Sequence, residues 1–392
     1  MTGLQIAIIG AGIAGLSAAR ALQQRGIGVR VYEQAEQLAE VGAGLTVTPN
    51  ATHALIAMGL ADDLARLGMQ PARGGARHWR TGELLVEFER GAGLNQRYGA
   101  PYVQIHRADL HEALARAVLA HDPDSLLLGH RFESLSQDVE GVAIKFANGA
   151  GARADVAIGA DGIRSAMRAQ LFGAGQPRFT GYIAWRGLVP IDRLPPGLVD
   201  PPSCISIGPQ HTFTRYLIRG GRVLNYVALA ERSDWQVESW SIRSGVGELL
   251  AEFPQWHQEV RTIIAATPPE LCFKWALFDR EPLGSWTQGR VALLGDAAHP
   301  MLPFLGQGAA MGIEDAMILA RAFEVSASHD EALRRYEATR IGRTSFVMGK
   351  SREAGLEYHR ADAEDRATHP HTTAESLGLF TYNPVLAPLQ GI

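Results

Sequence analysis

Cysteine is scarce: the 392-residue chain carries two, Cys204 and Cys272, at no spacing that a metal centre or a disulfide framework would use. A stapled secreted scaffold is thereby excluded, and the pair fits buried thiols in a reducing compartment. Positive charge is not in excess either. There are 37 Lys and Arg against 41 Asp and Glu, a formal net charge of -4, and no basic block suits a phosphate backbone. Nucleic acid is not expected as a partner. Long apolar runs are missing too, since residues 291–313 are interrupted by Asp296, His299, Pro300 and Pro303, which excludes a membrane span there. The opening MTGLQIAIIG reads straight into a strand, without the charged and apolar stretches of an export leader, so a cytoplasmic protein is expected. The remainder is ordinary globular composition, 46% hydrophobic and 20% charged, with length for two or three structural units.

The strongest local signal stands at the start. Residues 4–9 form a short apolar run that stops at Gly10-Ala11-Gly12-Ile13-Ala14-Gly15. Leu16, Ala19 and Leu22 then recur at helical spacing as far as Gly26, and residues 29–32 read as a second strand ending on Glu33. Each part has a physical task in holding a dinucleotide. Gly10 permits the tight turn, Gly12 lets the backbone approach a pyrophosphate, and Gly15 allows the helix to lie close on the strand. The helix amino terminus, with Ala14 in its first turn, offers unpaired N–H groups and a positive dipole end to phosphate. Glu33 is placed to accept hydrogen bonds from a ribose. This unit alone does not choose between NAD and FAD.

Two later segments repeat a related design. Residues 154–165 read as a buried strand that stops at Asp161-Gly162 and turns into a helix near Ser165. Residues 289–300 read as another, delivering Gly295-Asp296, after which Gly306-Gln307-Gly308 opens a helix through Met311, Asp315 and Leu319. The three signatures in this order resemble those of the single-component FAD-dependent aromatic hydroxylases, the group of salicylate hydroxylase, 3-hydroxybenzoate 6-hydroxylase and para-hydroxybenzoate hydroxylase. Residues 42–50, GAGLTVTPN, and 106–110, HRADL, are similar to family segments as well, and the likeness spans roughly residues 4 to 345.

That resemblance implies an α/β fold: a Rossmann-like FAD-binding domain of the para-hydroxybenzoate hydroxylase type, an inserted antiparallel β-sheet substrate domain, and C-terminal helices. The FAD-binding domain would be discontinuous, 1–72 with 100–176 and 282–345. The substrate domain would comprise 73–99 and 177–281, and 346–392 would be a C-terminal helical region and tail. By the same resemblance Glu33 would hold the adenosine ribose, Arg107 would contact the pyrophosphate region, Asp161 would lie near it, and Asp296 would bind the ribityl chain. Backbone groups at Gly308 and Ala309 would hold the isoalloxazine ring, where a helix dipole stabilises a reduced anionic flavin, and glycines 42 to 44 would flank it. His299 reads as a packed or capping histidine rather than a base.

The middle of the chain has alternating patterns at 182–186, 204–207, 211–218 and 223–230, read as an antiparallel sheet. After the hairpin at Gly208-Pro209-Gln210, His211, Phe213, Arg215 and Leu217 share one face and Thr212, Thr214, Tyr216 and Ile218 the other. Related hydroxylases place a histidine four residues before this tyrosine, on its own face, to handle a phenolic proton. Here that position is Thr212, so Tyr216 is the candidate for the pocket, joined by His211 only if a bulge beside Pro209 turns it inward. Arg186 could pair with a substrate carboxylate, or be a solvated edge arginine. Pro303 would shape the flavin front through its backbone.

The implied reaction is reduction of FAD by NADH or NADPH, reaction with O2 to a flavin hydroperoxide, and oxygen transfer to a small aromatic, a phenolic acid or an N-heteroaromatic. Another FAD reaction on the same scaffold (epoxidation, saturation, dehydrogenation) and a non-catalytic flavin sensor are the open alternatives. A monomer or homodimer is expected. Residues 329–360 have helical composition, with Glu331, Arg334, Arg335, Glu337 and Arg340 read onto solvated faces. His369 and His371 in the tail are too few for a metal site, and no metal is expected.

Overall fold

The computed structural model describes residues 3–38, 43–173, 175–235, 237, 242–360 and 372–391. The amino-terminal signature folds as strand Gln5–Ile9, helix Ile13–Gln23 and strand Gly28–Tyr32. In a six-stranded sheet the first strand lies between Gly28–Tyr32 and Val156–Gly159, parallel to both, and Val291–Leu293 continues parallel beyond the latter. Parallel neighbours end on one edge, so the turns after Ile9, Tyr32, Gly159 and Leu293 crowd together there. These strands are almost continuously apolar because both faces are covered. Helix Ile13–Gln23 packs on both Arg107–His121 and Gly308–Val325, and the meander strand Val142–Phe146 stacks Phe146 on Tyr32 with ring centroids 4.6 Å apart.

A second, seven-stranded sheet runs in the order Cys272–Asp279, Arg178–Pro190, Val223–Glu231, His211–Ile218, Ser203–Gly208, Arg73–His78, Leu84–Glu89. The expected antiparallel pairing holds except where Ser203–Gly208 meets Arg73–His78, which run parallel. The long connection between those two segments is what permits a parallel pair. Helices Val246–Glu252 and Gln258–Ala265 cover one face, burying Trp185, Phe213 and Tyr226 against Leu249, Phe253 and Ile263. The opposite face buries Tyr182, Ala184, Leu229 and Trp275 against Leu302, which belongs to the segment following Asp296.

A two-stranded ribbon, Gly44–Val47 with Val103–His106, joins the two sheets. Its Gly44 N–H donates to Asn225 Oδ1 at 2.6 Å, and Gln104 Nε2 donates to Ser203 Oγ at 2.8 Å. Helix His329–Arg360 follows, 32 residues long. Its charges correct the sequence reading: Arg334 is exposed, but Arg340 is wholly buried, and Glu337 accepts hydrogen bonds from the Trp286 and Thr287 N–H groups. A helical pattern assigns charge to solvent by default, and the buried acids that claim Arg340, like the N–H groups that claim Glu337, lie elsewhere in the chain. The segment 372–391 returns over the fold, with Leu379 and Phe380 buried and Glu375 paired with Arg90 at 2.8 Å and Arg97 at 3.1 Å. Pro370 and both flanking histidines lie outside the described residues. No helix among the described residues is long and apolar enough to cross a membrane, and no cluster of three His, Cys, Asp or Glu there could hold a metal ion.

Candidate active site

At the sheet edge, backbone geometry explains the glycines. Gly10 has φ 105°, and a side chain there would overlap the Ala160 carbonyl that precedes Asp161. A Cβ on Gly15 would overlap the Gly10 carbonyl, whereas the space before Gly12 is open. Helix Ile13–Gln23 begins without a side-chain cap and without an acidic residue in its first turn, and so does Gly308–Val325. An uncapped helix amino terminus leaves N–H groups unpaired, the arrangement that suits an anion. The two helices also touch each other's support: Cβ atoms on Gly295 or Gly312 would come within 2.9 Å of Ala14 Cβ.

Glu33 stands at the tip of its strand and accepts from Ala11 N–H at 2.8 Å and Ala35 N–H at 2.9 Å, which sets its carboxylate beside the glycine turn. Asp161 turns the other way. It accepts from Ser165 Oγ at 2.5 Å and Met167 N–H at 3.1 Å, capping helix Ala166–Phe172, while its backbone abuts Gly10. Burial raises its pKa, and the Ser165 hydrogen bond offsets part of that rise. Asp296 is exposed, yet desolvation by the surrounding protein raises its pKa, against the lowering charges of His299 and Arg107. Its carboxyl is thus open to solvent while protein surrounds it closely. Arg107, the first residue of its helix, is thus within electrostatic reach of Asp296, and its N–H is tied to the Ala43 carbonyl at 2.8 Å. Gly42 lies outside the described residues. Gly308 and Ala309 open their helix half-buried, and Pro303, exposed, leads a 3-10 turn whose Phe304 meets Tyr182 edge-on at 5.4 Å.

On the face of the seven-stranded sheet that packs against Leu302, strand register aligns Arg186 with Val227 and Thr214, and Tyr216 with Asn225 and Ser203. Thr212 is buried on this face, level with Leu229. Tyr216 is buried beside Gly44 and hydrogen-bonded with Thr46. Burial, with Tyr102 adding to it, drives its pKa far above the ordinary tyrosine value, so its hydroxyl stays protonated. Arg186 is 3% exposed with its guanidinium 5.1 Å from the Phe273 ring and 5.6 Å from Trp275. The solvated edge arginine is therefore excluded: its strand is an inner one.

His211 is elsewhere. The hairpin closes in unbroken register from Gly208 opposite His211 to Ser203 opposite Tyr216, with the left-handed Gln210 at φ 56° completing a two-residue turn and no bulge. His211 therefore stays on the helix-covered face, 2.8 Å from Glu252 and edge-on to Phe253. The inward rotation that a catalytic role required does not occur. Sequence reasoning missed Asn225, Trp275, Phe273 and Thr46. Only strand pairing brings them beside Arg186 and Tyr216, although the alternation within residues 223–231 does put Asn225 on the face shared with Val227 and Leu229.

A dinucleotide cradle, a walled carboxylate and a roofing sheet together define a flavin-dependent aromatic hydroxylase, and the comparisons agree. The chain belongs to this family: the model described as an FAD binding domain matches residues 3–350. It is 40% identical over 381 residues to 3-amino-4-hydroxybenzoate 2-monooxygenase PtmB3 of Streptomyces platensis, covering 96% of this chain and 95% of that one. It is 37% identical to 6-hydroxynicotinate 3-monooxygenase of Pseudomonas fluorescens, covering 88% and 89%. The crystal structure of Klebsiella pneumoniae HpxO complexed with FAD and uric acid superposes with a TM-score of 0.86 at 29% identity, covering 98% of each chain. This chain is an FAD-dependent monooxygenase that uses NAD(P)H and O2 on an aromatic substrate.

Proposed function

We propose that the substrate is a small aromatic acid carrying a ring hydroxyl, a hydroxybenzoate or its pyridine counterpart, held between Arg186 and Tyr216. The observation that carries this is the buried Arg186 guanidinium, set between Phe273 and Trp275 on the same sheet face as the Tyr216 hydroxyl. Two strand spacings and two residues separate their backbones by roughly 12 Å. Allowing for both side chains, that gap suits one ring with an anionic group at one end and a hydroxyl at the other. A guanidinium fork matches a carboxylate, and the flanking rings exclude the water that would weaken the pair. Two relatives bear the names of acids of this kind, 3-amino-4-hydroxybenzoate and 6-hydroxynicotinate.

FAD, when bound, would supply the redox chemistry, with NAD(P)H as electron donor and O2 as oxidant. The chain's part is to bind, orient and exclude water. The turn from Gly10 through Gly12 and Ala14 to Gly15 would face the pyrophosphate, with Glu33 on the ribose, Arg107 and Asp296 along the cofactor, Asp161 shaping the adjoining turn, and the N–H groups of Gly308 and Ala309 toward the flavin ring. Tyr216, protonated, would donate to the substrate's ring oxygen and favour its anionic form, which is the better nucleophile. Thr212 and Pro303 would border the ring. The working division follows the two large sheets: 1–72, 100–176 and 282–345 for the cofactor, 73–99 and 177–281 for the substrate, 346–392 as the C-terminal part. With two unpaired thiols, cytoplasmic operation as a monomer or homodimer is proposed.

A panel of hydroxylated aromatic acids, their amides and decarboxylated analogues tests the reading through NADH and NADPH oxidation with labelled O2. Acids should accelerate oxidation and receive label. If the neutral analogues serve equally well, the Arg186 assignment falls, and if all oxygen ends as peroxide, so does hydroxylation of this class. Tyr216→Phe should slow hydroxylation far more than flavin reduction; equal effects on both steps would reject its role.

A further inference from the structure

Behind the Asp296 turn lies a set of buried charges that neither cofactor nor substrate contact accounts for. Asp315, wholly buried in helix Gly308–Val325, takes three hydrogen bonds: from Gly295 N–H at 3.1 Å, His299 Nε2 at 2.5 Å and Arg340 Nε at 2.7 Å. Gly295 immediately precedes Asp296, and His299 follows it by three residues. One carboxylate thus ties both ends of the turn that presents Asp296, and Arg340 in turn anchors that carboxylate to the C-terminal helix. The adjoining Glu314 is equally buried and shares Arg340, through Nη1 at 2.6 Å, but its remaining partners are Arg343 Nε at 2.8 Å and Asn50 Nδ2 at 2.6 Å.

We propose that Asp315 is a positioning residue for FAD, holding the Asp296 turn against the dinucleotide helix through Gly295 and His299. The inference rests on FAD binding by this family and is independent of the substrate reading. The turn needs such a tie because it must pass close to another element. Gly295 sits at φ 62° with Ala14 directly before it, so a small shift of the turn would collide with the helix that faces the cofactor. His299 Nε2 carries the proton shared with the ionised Asp315, which leaves Nδ1 buried without a partner. The ring is therefore committed to the carboxylate and not to the cleft.

Glu314 supplies the control, since it shares the burial and the Arg340 contact but not the turn. FAD titration of the apoproteins by flavin fluorescence, beside thermal midpoints, separates the two. Asp315→Asn should weaken FAD about ten- to hundred-fold, the effect of losing a hydrogen bond to a charged group. Glu314→Gln should lower the midpoint comparably yet keep the dissociation constant within about three-fold of wild type, well under the ten-fold step. Equal weakening in both variants, or none in Asp315→Asn, overturns the proposal. Should Asp315→Asn not fold, His299→Gln loosens the turn alone and leaves the Arg340 ion pairs in place. A dissociation constant raised at least about ten-fold with a near-native midpoint supports the proposal, and an unchanged one overturns it. Wild-type affinity, measured alongside, tests the cofactor itself.

Discussion

Burial pushes the pKa of both Asp315 and Tyr216 upward, but only Tyr216 ends above its ordinary value, because Asp315 faces opposite charges. Burial by itself would raise the Asp315 pKa from 3.8, but the charges of His299 and Arg340 outweigh it and leave the carboxyl at about 2. A carboxylate depressed on folding stabilises the native state above its unfolded pKa, and that contribution is lost as pH falls from about 3.8 toward about 2. Urea midpoints followed from pH 5 to pH 2 should therefore fall more steeply for wild type than for Asp315→Asn. Cys272, wholly buried, has its thiol pushed up to about 11 by desolvation, and burial raises Cys204 likewise. Neither should react with a thiol reagent at neutral pH until denaturant is added. For Arg186→Gln, the expected outcome is a KM for aromatic acids raised about ten- to hundred-fold with a smaller change in kcat, the loss of one charged hydrogen bond. At this scale the sequence named Arg186 and Tyr216 because residue type suggested chemistry, whereas their burial came only with the sheet.

Elements carry the cofactor site through close approach. The dinucleotide helix, the Asp296 turn and helix Gly308–Val325 meet at Ala14, Gly295 and Gly312, where no side chain larger than a methyl separates them. Gly312→Val should consequently be destabilising by about 1 to 3 kcal/mol through overpacking, despite removing a glycine from a helix interior. It should also weaken FAD, which equilibrium unfolding and a flavin titration would register. The strand, turn and helix units around Gly10, Asp161 and Asp296 were legible because each is local: an apolar run, a glycine, then helical spacing. The 211–218 alternation was legible for the same reason. It correctly put His211 and Tyr216 on opposite faces, and only an assumed bulge could have reunited them.

For the whole molecule, the segment 372–391 joins parts distant in the chain. It buries Ala374, Leu379 and Phe380, sets Glu375 on Arg90 and Arg97, and lays Tyr382 4.0 Å beneath the Arg343 guanidinium, at the outer end of the buried ion network. Removing residues 372–392 should uncover that network and lower the thermal midpoint by several degrees, since each buried large apolar side chain is worth about 1.5 to 3 kcal/mol. An unchanged midpoint would show the segment to be dispensable. By itself the sequence determined the class: a dinucleotide cradle, two further acid-bearing turns and their order, because glycine conformation and periodicity act between near neighbours. Tertiary structure alone decided which charges are interior. Arg340 and Glu337 looked solvated on their helix, and Asp315 was read only as one position of a helical spacing, with no partner assigned to it or to Glu314. A buried charge is tolerated only when an opposite charge reaches it, and Arg340 reaches Asp315 and Glu314 from 25 and 26 residues along the chain.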